Sequence, residues 1–163
     1  MAKRKDEKTN VMRLLEQKGV AYAPHSYDPE TDGIDGVSVA HALGQDPAAV
    51  FKTLVARGAS KALYVFDVPV AQTLDLKKAA RAVGEKSIAM LAQKELLPLT
   101  GYIHGGCSPV EMKKQFPTVF HQSCLDHPTI CVSAGKVGFQ VELAPGDLLD
   151  LLTATTADLT VEG

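Results

Sequence analysis

The sequence predicts an α/β domain built on a mixed, partly closed β-sheet flanked by helices. Three observations carry that reading. Helix and strand patterns interleave along the whole chain. Two strand patterns, around Val50 to Arg57 and Lys61 to Val68, are separated only by Gly58 to Ser60, so they form a hairpin and the sheet is not purely parallel. The chain has 163 residues, 45% hydrophobic and 22% charged, which suits one core and a single domain over 1–163.

Taken in order, the start "MAKRKDEK" is a solvated, flexible terminus over residues 1–8. Thr9 or Asn10 caps a helix with the apolar stripe Val11, Leu14 and Leu15, and Gly19 ends it. "VAYAPHSYD" reads as a short strand interrupted by Pro24, and "PETDGIDG" as a loop. "VSVAHALG" predicts a short helix capped by Ser38 and ended by Gly44. After the hairpin, "LDLKKAARAVGEK" is the clearest helix. Asp75 caps it, Gly84 ends it, and Leu76, Ala79, Ala80 and Val83 share its apolar face. A further helix spans 90–97 and stops near Pro98. "TGYIHGGCSP" reads as a strand and a glycine turn, "VEMKKQF" as a helical turn, and His121 and His127 fall in a loop. "TICVS" and "KVGFQVEL" are strands joined through Ala134 and Gly135. "PGDLLDLL" is a helix with Pro145 near its start, and "ADLTVE" is a closing strand.

Composition narrows the function. The formal net charge is -2, so there is no global electrostatic case for nucleic-acid binding, DNA included, and any RNA contact needs a local basic patch. No apolar run approaches the roughly 20 residues of a membrane span. The charged start has no signal-peptide core, so the expected location is the cytoplasm. Cys107, Cys124 and Cys131 are odd in number and match no zinc-ligand spacing, so they are expected as free thiols with no metal.

The chain contains no nucleophile elbow, no Walker A loop and no dinucleotide fingerprint. In "HGGCSP", Gly105 and Gly106 let another molecule approach closely, and their N–H groups are candidate oxyanion donors. The competing reading is a plain tight turn. "VSAGKVG" offers a second small-residue turn with Ser133 and Gly135. Lys52 is a misfit in the strand "VFKTLV": it is either a snorkelling strand-end residue or a charge placed at a pocket. Lys77, Lys78 and Arg81 share one helix face, either solvated or in contact with RNA phosphates.

Together, "FKTLV", "LDLKKAARAVG", "TGYIHGGCSP" and "VSAGKVGFQVELAPGDLL", in that order, strongly resemble the YbaK/EbsC family. These are freestanding relatives of the editing domain of bacterial prolyl-tRNA synthetase, and the resemblance runs from about Val11 to Leu159. It implies a barrel-like mixed sheet, and hydrolysis of cysteine mischarged onto proline tRNA without a cofactor, the substrate's own thiol being the nucleophile. The implied partners are the aminoacylated end of tRNA and prolyl-tRNA synthetase. Lys52 then matches the catalytic strand lysine and Thr53 its neighbour. Gly105, Gly106 and Pro109 match the loop that embraces the aminoacyl end, and Tyr27, Gly101 and Ser133 match further pocket positions, with Gly135 in the second turn. Two positions depart from the family pattern: Ala134 stands where a second glycine is common, and Gln140 where some members are acidic. The alternatives are a deacylase that removes alanine or serine with water, and a non-catalytic tRNA- or nucleotide-binding module.

Overall fold

The computed structural model describes residues 7–161, so the expected flexible start lies outside the described residues up to Asp6. Helix α1 (Asn10–Gln17) begins where Thr9 Oγ1 accepts the N–H of Met12, and it sends Val11, Met12 and Leu15 into the core. β1 (Ala23–Ser26) follows. Its Pro24 cannot donate to a ladder, and among the described residues β1 is an edge strand paired only with β7 (Phe139–Leu143).

The stretch expected as a loop contains a one-turn helix, α2 (Pro29–Asp32). Asp28 caps it and Pro29 supplies the preset φ of a first helical residue. α3 (Gly36–Ala42) is capped by Asp35, not by Ser38: Asp35 Oδ2 accepts the Ser38 N–H at 3.0 Å, which puts Ser38 inside the first turn.

β2 (Phe51–Gly58) and β3 (Leu63–Pro69) form the expected antiparallel hairpin. β2 also pairs with β4 (Ile88–Met90), while β3 pairs in parallel with β5 (Thr118–His121), and β5 in parallel with β8 (Thr155–Ala157). The larger sheet therefore runs β4-β2-β3-β5-β8. The smaller runs β1-β7-β6, with β6 at Ile130–Ser133. A bridge between Val50 and Cys131 joins the two sheets. The mixed α/β class is as the sequence predicts, realised as two sheets bent around a shared core. Phe51 and Phe120 from the larger sheet meet Phe139, Val141 and Ile130 from the smaller, under α1 and under α6 (Pro145–Leu152).

α4 (Leu76–Val83) packs Ala79 and Ala80 on the other face of the larger sheet, against Ala56, Phe66 and Val68. Asp75 caps it and Gly84 ends it in the left-handed conformation. Leu76 is off the buried face at 41% exposure, because Leu74 takes the core position at this end.

Between α4 and β6 the sequence reading needs most correction. Met90, expected as the start of a helix, instead closes the short strand β4, which completes the edge of β2. α5 (Gln93–Thr100) starts later and runs through Pro98, which forfeits one hydrogen bond in a helix of only two turns. After Thr100, which closes α5, residues 101–104 form an irregular loop, and "VEMKKQF" forms no helix. β5 is an unexpected strand, and His121 lies on it, not in a loop. All four of its residues are buried between two parallel neighbours, so it lacks the alternation that marks a half-exposed strand. The closing strand, expected over 157–162, is instead Thr155–Ala157; among the described residues of the expected stretch beyond Ala157, only Thr160 makes a bridge, to Leu74, and Glu162 lies outside the described residues.

Candidate active site

A cavity of about 300 Å³ opens where the two sheets meet. β2 supplies Lys52 and Thr53, β6 and β7 supply Ser133 and Gln140, and the loop after α5 supplies His104, Gly105 and Cys107. Tyr27 and the start of α3 close the remaining side. Much of the wall is apolar, with Val39, Val50, Phe51, Val70 and Phe139. The volume suits the aminoacyl end of a larger molecule.

Lys52 is half-buried, and burial is the force that pulls its ammonium below the ordinary lysine range. No carboxylate offsets that cost among the described residues, so its charge is directed at whatever enters the cavity. Cys107 is the cavity's thiol. Burial, and then the nearby Asp67, push it up to about 12, which keeps it protonated and a poor nucleophile near neutral pH.

The glycine loop divides in its roles. Gly105 lines the cavity with φ +88°, a conformation that disfavours any side chain. The Gly106 N–H is spent on the carbonyl of Ile103 at 3.0 Å, so it closes a turn and does not face the cavity as an oxyanion donor. A Cβ on Gly106 would sit 3.0 Å from the backbone nitrogen of Val137, so this glycine permits close packing of two loops. Pro109 is buried behind them.

Gly101 and Gly135 lie outside the cavity lining. Gly101 caps α5, and Gly135 fits against Tyr102, whose Cε1 would be 2.9 Å from an added Cβ. The Gly135 N–H is held by Ser133 Oγ at 3.1 Å, which fixes the second turn beside the cavity. Ala134 points its methyl into the main core and does not narrow the opening. Gln140 is in the wall, where its Oε1 accepts from Gln45 at 2.8 Å, so an uncharged hydrogen-bonded amide occupies the position of some members' carboxylate.

The basic face of α4 is remote from this lining. Lys77 and Arg81 are exposed, but Lys78 is committed: its Nζ donates to Asp158 at 2.9 Å and to the carbonyl of Thr160 at 2.8 Å, clamping the C-terminal segment.

Sequence reasoning missed Asp67. It is fully buried on β3 and accepts a hydrogen bond from Thr53 Oγ1, and its second oxygen finds no partner among the described residues. Desolvation pushes it up to about 8, against the opposing hydrogen bond, so the carboxyl is held largely neutral. The signal was present as a single acid in the apolar strand "LYVFDVP".

The model of the aminoacyl-tRNA editing domain matches residues 29–151, a span that holds every cavity residue named here except Tyr27. The chain belongs to the aminoacyl-tRNA editing domain family. A protein of Enterococcus faecalis, EbsC, described as a candidate Cys-tRNA(Pro)/Cys-tRNA(Cys) deacylase, is 45% identical to this editing domain over 163 residues, 99% of each chain. The crystal structure of a candidate trans-editing enzyme for prolyl-tRNA synthetase superposes with a TM-score of 0.81 at 26% identity, covering 96% of this chain and all of that one. A hypothetical protein, APE2540, shares the editing-domain fold with a TM-score of 0.85 at 20% identity, over 94% of this chain and 100% of its own.

Proposed function

We propose that the protein is a trans-editing deacylase that clears cysteine from mischarged Cys-tRNA(Pro). The observation that carries the reading is a small cavity with a half-buried Lys52 that no carboxylate pairs among the described residues, and a thiol, Cys107, kept protonated chiefly by burial. Such a site offers position and positive charge but no strong nucleophile. The EbsC relative, whose name carries the same substrate, supports it.

The ester of an aminoacyl-tRNA is already activated. In the proposed reaction the substrate's thiol sulfur attacks the ester carbonyl, forming an S–C bond in a cyclic thiolactone. The C–O bond to the terminal ribose breaks, and the proton released by the thiol ends on that ribose oxygen. Water then opens the thiolactone to free cysteine. Lys52 steadies the negative charge that develops on the carbonyl oxygen, and the cavity walls fold the thiol toward the carbon. Selection by the thiol exceeds what size can give, since one methylene is worth about 1–3 kcal/mol.

Thr53, Gly105, Ser133, Gln140 and Tyr27 are the proposed contacts around the aminoacyl group. With a net charge of -2, unaided tRNA binding is weak, and prolyl-tRNA synthetase is the proposed partner that delivers it. The reading treats 1–163 as one domain working in the cytoplasm. No helix among the described residues is long and apolar enough to cross a membrane.

The deciding experiment compares deacylation of Cys-, Ala- and Pro-tRNA(Pro) under the same conditions, with Cys107→Ser in parallel. Preferential loss of cysteine, kept in the variant, is expected. Equal loss of alanine favours an activated-water reaction, and abolition in Cys107→Ser in a folded protein replaces the mechanism with an enzyme thiol.

A further inference from the structure

One cluster of reactive side chains lies beside the cavity and plays no part in that chemistry. His25 on β1, Glu142 on β7 and Cys131 on β6 come from three neighbouring strands, and their ligand atoms all lie within 4.8 Å of one another. The sheet register produces this meeting. Cys131 stands directly opposite Glu142, and His25 stands opposite Gln140, two residues along β7 from Glu142 and so on the same face. Sequence spacing could not show it, because the ligands lie 106 and 11 residues apart by number and no short motif links them.

We propose that His25 Nε2, Cys131 Sγ and the Glu142 carboxylate form a three-ligand site for a single Zn²⁺-type ion.

The donor set fits such an ion. Imidazole nitrogen, thiolate sulfur and carboxylate oxygen are its three protein ligand types, and three ligands leave a fourth position to water. A tetrahedral ion with bonds of about 2.0–2.3 Å holds its ligands roughly 3.3–3.8 Å apart. His25 Nε2 and Glu142 Oε1 now share a hydrogen bond at 2.8 Å, so that pair must open slightly while the others, within 4.8 Å, close by at most about 1 Å, within the reach of χ rotation. The other oxygen of Glu142 is already oriented by Thr129 Oγ1 at 2.5 Å, the kind of outer contact that fixes a metal-binding carboxylate. His25 and Glu142 are each about one-third exposed, which gives an ion a way in, whereas Cys131 is 4% exposed and closes the inner side. Burial and then Glu142 hold the Cys131 thiol protonated, and binding would release that proton to solvent.

The consequence is mechanical. The ion would staple edge strand β1 to both other strands of the small sheet, two register positions from the Ser133–Gln140 pair in the cavity wall. It would hold that wall without touching the reaction.

The test uses the full chain, stripped of metal by chelator. ZnCl₂ titrated by calorimetry should bind at one ion per chain and raise the melting temperature. CoCl₂ should give a sulfur-to-metal charge-transfer band. Cys131→Ser should abolish the band, whereas Cys107→Ser and Cys124→Ser should keep it. His25→Gln, a change at a residue about one-third exposed and outside the core, should weaken zinc binding at least tenfold and remove the thermal shift. The proposal is overturned if the natural chain binds no stoichiometric zinc, if the band survives Cys131→Ser, or if His25→Gln binds as tightly as the natural chain. Should Cys131→Ser fail to fold, the His25→Gln comparison decides alone.

Discussion

The hydroxyl of Thr53 donates a 2.5 Å hydrogen bond to Oδ1 of Asp67, tying a cavity residue to a fully buried carboxyl. The pair sets a pH dependence. Asp67 titrates at about 8 in the folded chain, well above the unfolded value of about 3.9. Its contribution is therefore fully present below about pH 4 and is lost as pH rises toward 8, at roughly 1.4 kcal/mol per unit. Asp67→Asn removes that proton. Its melting temperature, relative to the natural chain, should climb steadily between about pH 5 and 8. A difference that is flat across this range contradicts the burial account.

Lys52→Ala should lower single-turnover deacylation at least about 100-fold, the scale of losing one well-placed stabilising group. Stability should hold or rise, because burial opposes the charge that is removed. Lys52→Arg should rescue poorly, since a planar fork does not replace a compact ammonium. Full activity in Lys52→Ala returns the lysine to a strand-end role.

Gly105→Ala and Gly106→Ala should fail for different reasons. At Gly105 the positive φ costs about 1–2 kcal/mol and the methyl presses on Ile34, which lines the cavity, so turnover and melting temperature both fall. At Gly106 the methyl meets backbone across the loop, so the loss is mainly of stability. Turnover per folded molecule separates the two, and natural values in both variants would reduce the loop to a plain turn.

On α4, charge reversal at Lys77 and Arg81 should flatten the salt dependence of tRNA use while leaving the melting temperature unchanged. Lys78→Ala should do the opposite. It releases Asp158 and Thr160 from the C-terminal clamp and should cost about 1–2 kcal/mol of stability. An unaltered salt slope in the double reversal makes this face ordinary solvated surface.

The legible parts of the sequence were those with local causes. Asp75 and Gly84 bracket α4 through contacts within one turn, and the β2–β3 hairpin follows from a short link between two apolar runs. Lys52 was legible as an anomaly for the same reason. β5 was not, since its four residues are strand only because β3 and β8 stand on either side. Asp67 and the His25–Cys131–Glu142 cluster were hidden similarly. Their surroundings are made by cross-strand register, which no spacing along one segment records. The dual fate of the two loop glycines also needed coordinates, because the positive φ of Gly105, its place in the cavity wall and the Gly106 N–H bond to Ile103 are not written in the sequence.

The bridge from Val50 to Cys131 makes the cavity a seam. Lys52 and Thr53 stand on one side of it, and Ser133 and Gln140 on the other, so the opening's width belongs to the angle between two sheets and to no single wall. Evolution can act on that angle without altering any of those four side chains. A bulkier or smaller residue at the seam would widen or pinch the slot, shifting which amino acids are admitted while the chemistry that awaits them stays the same. Divergence in specificity among proteins of this shape would then be found at positions that never touch the substrate.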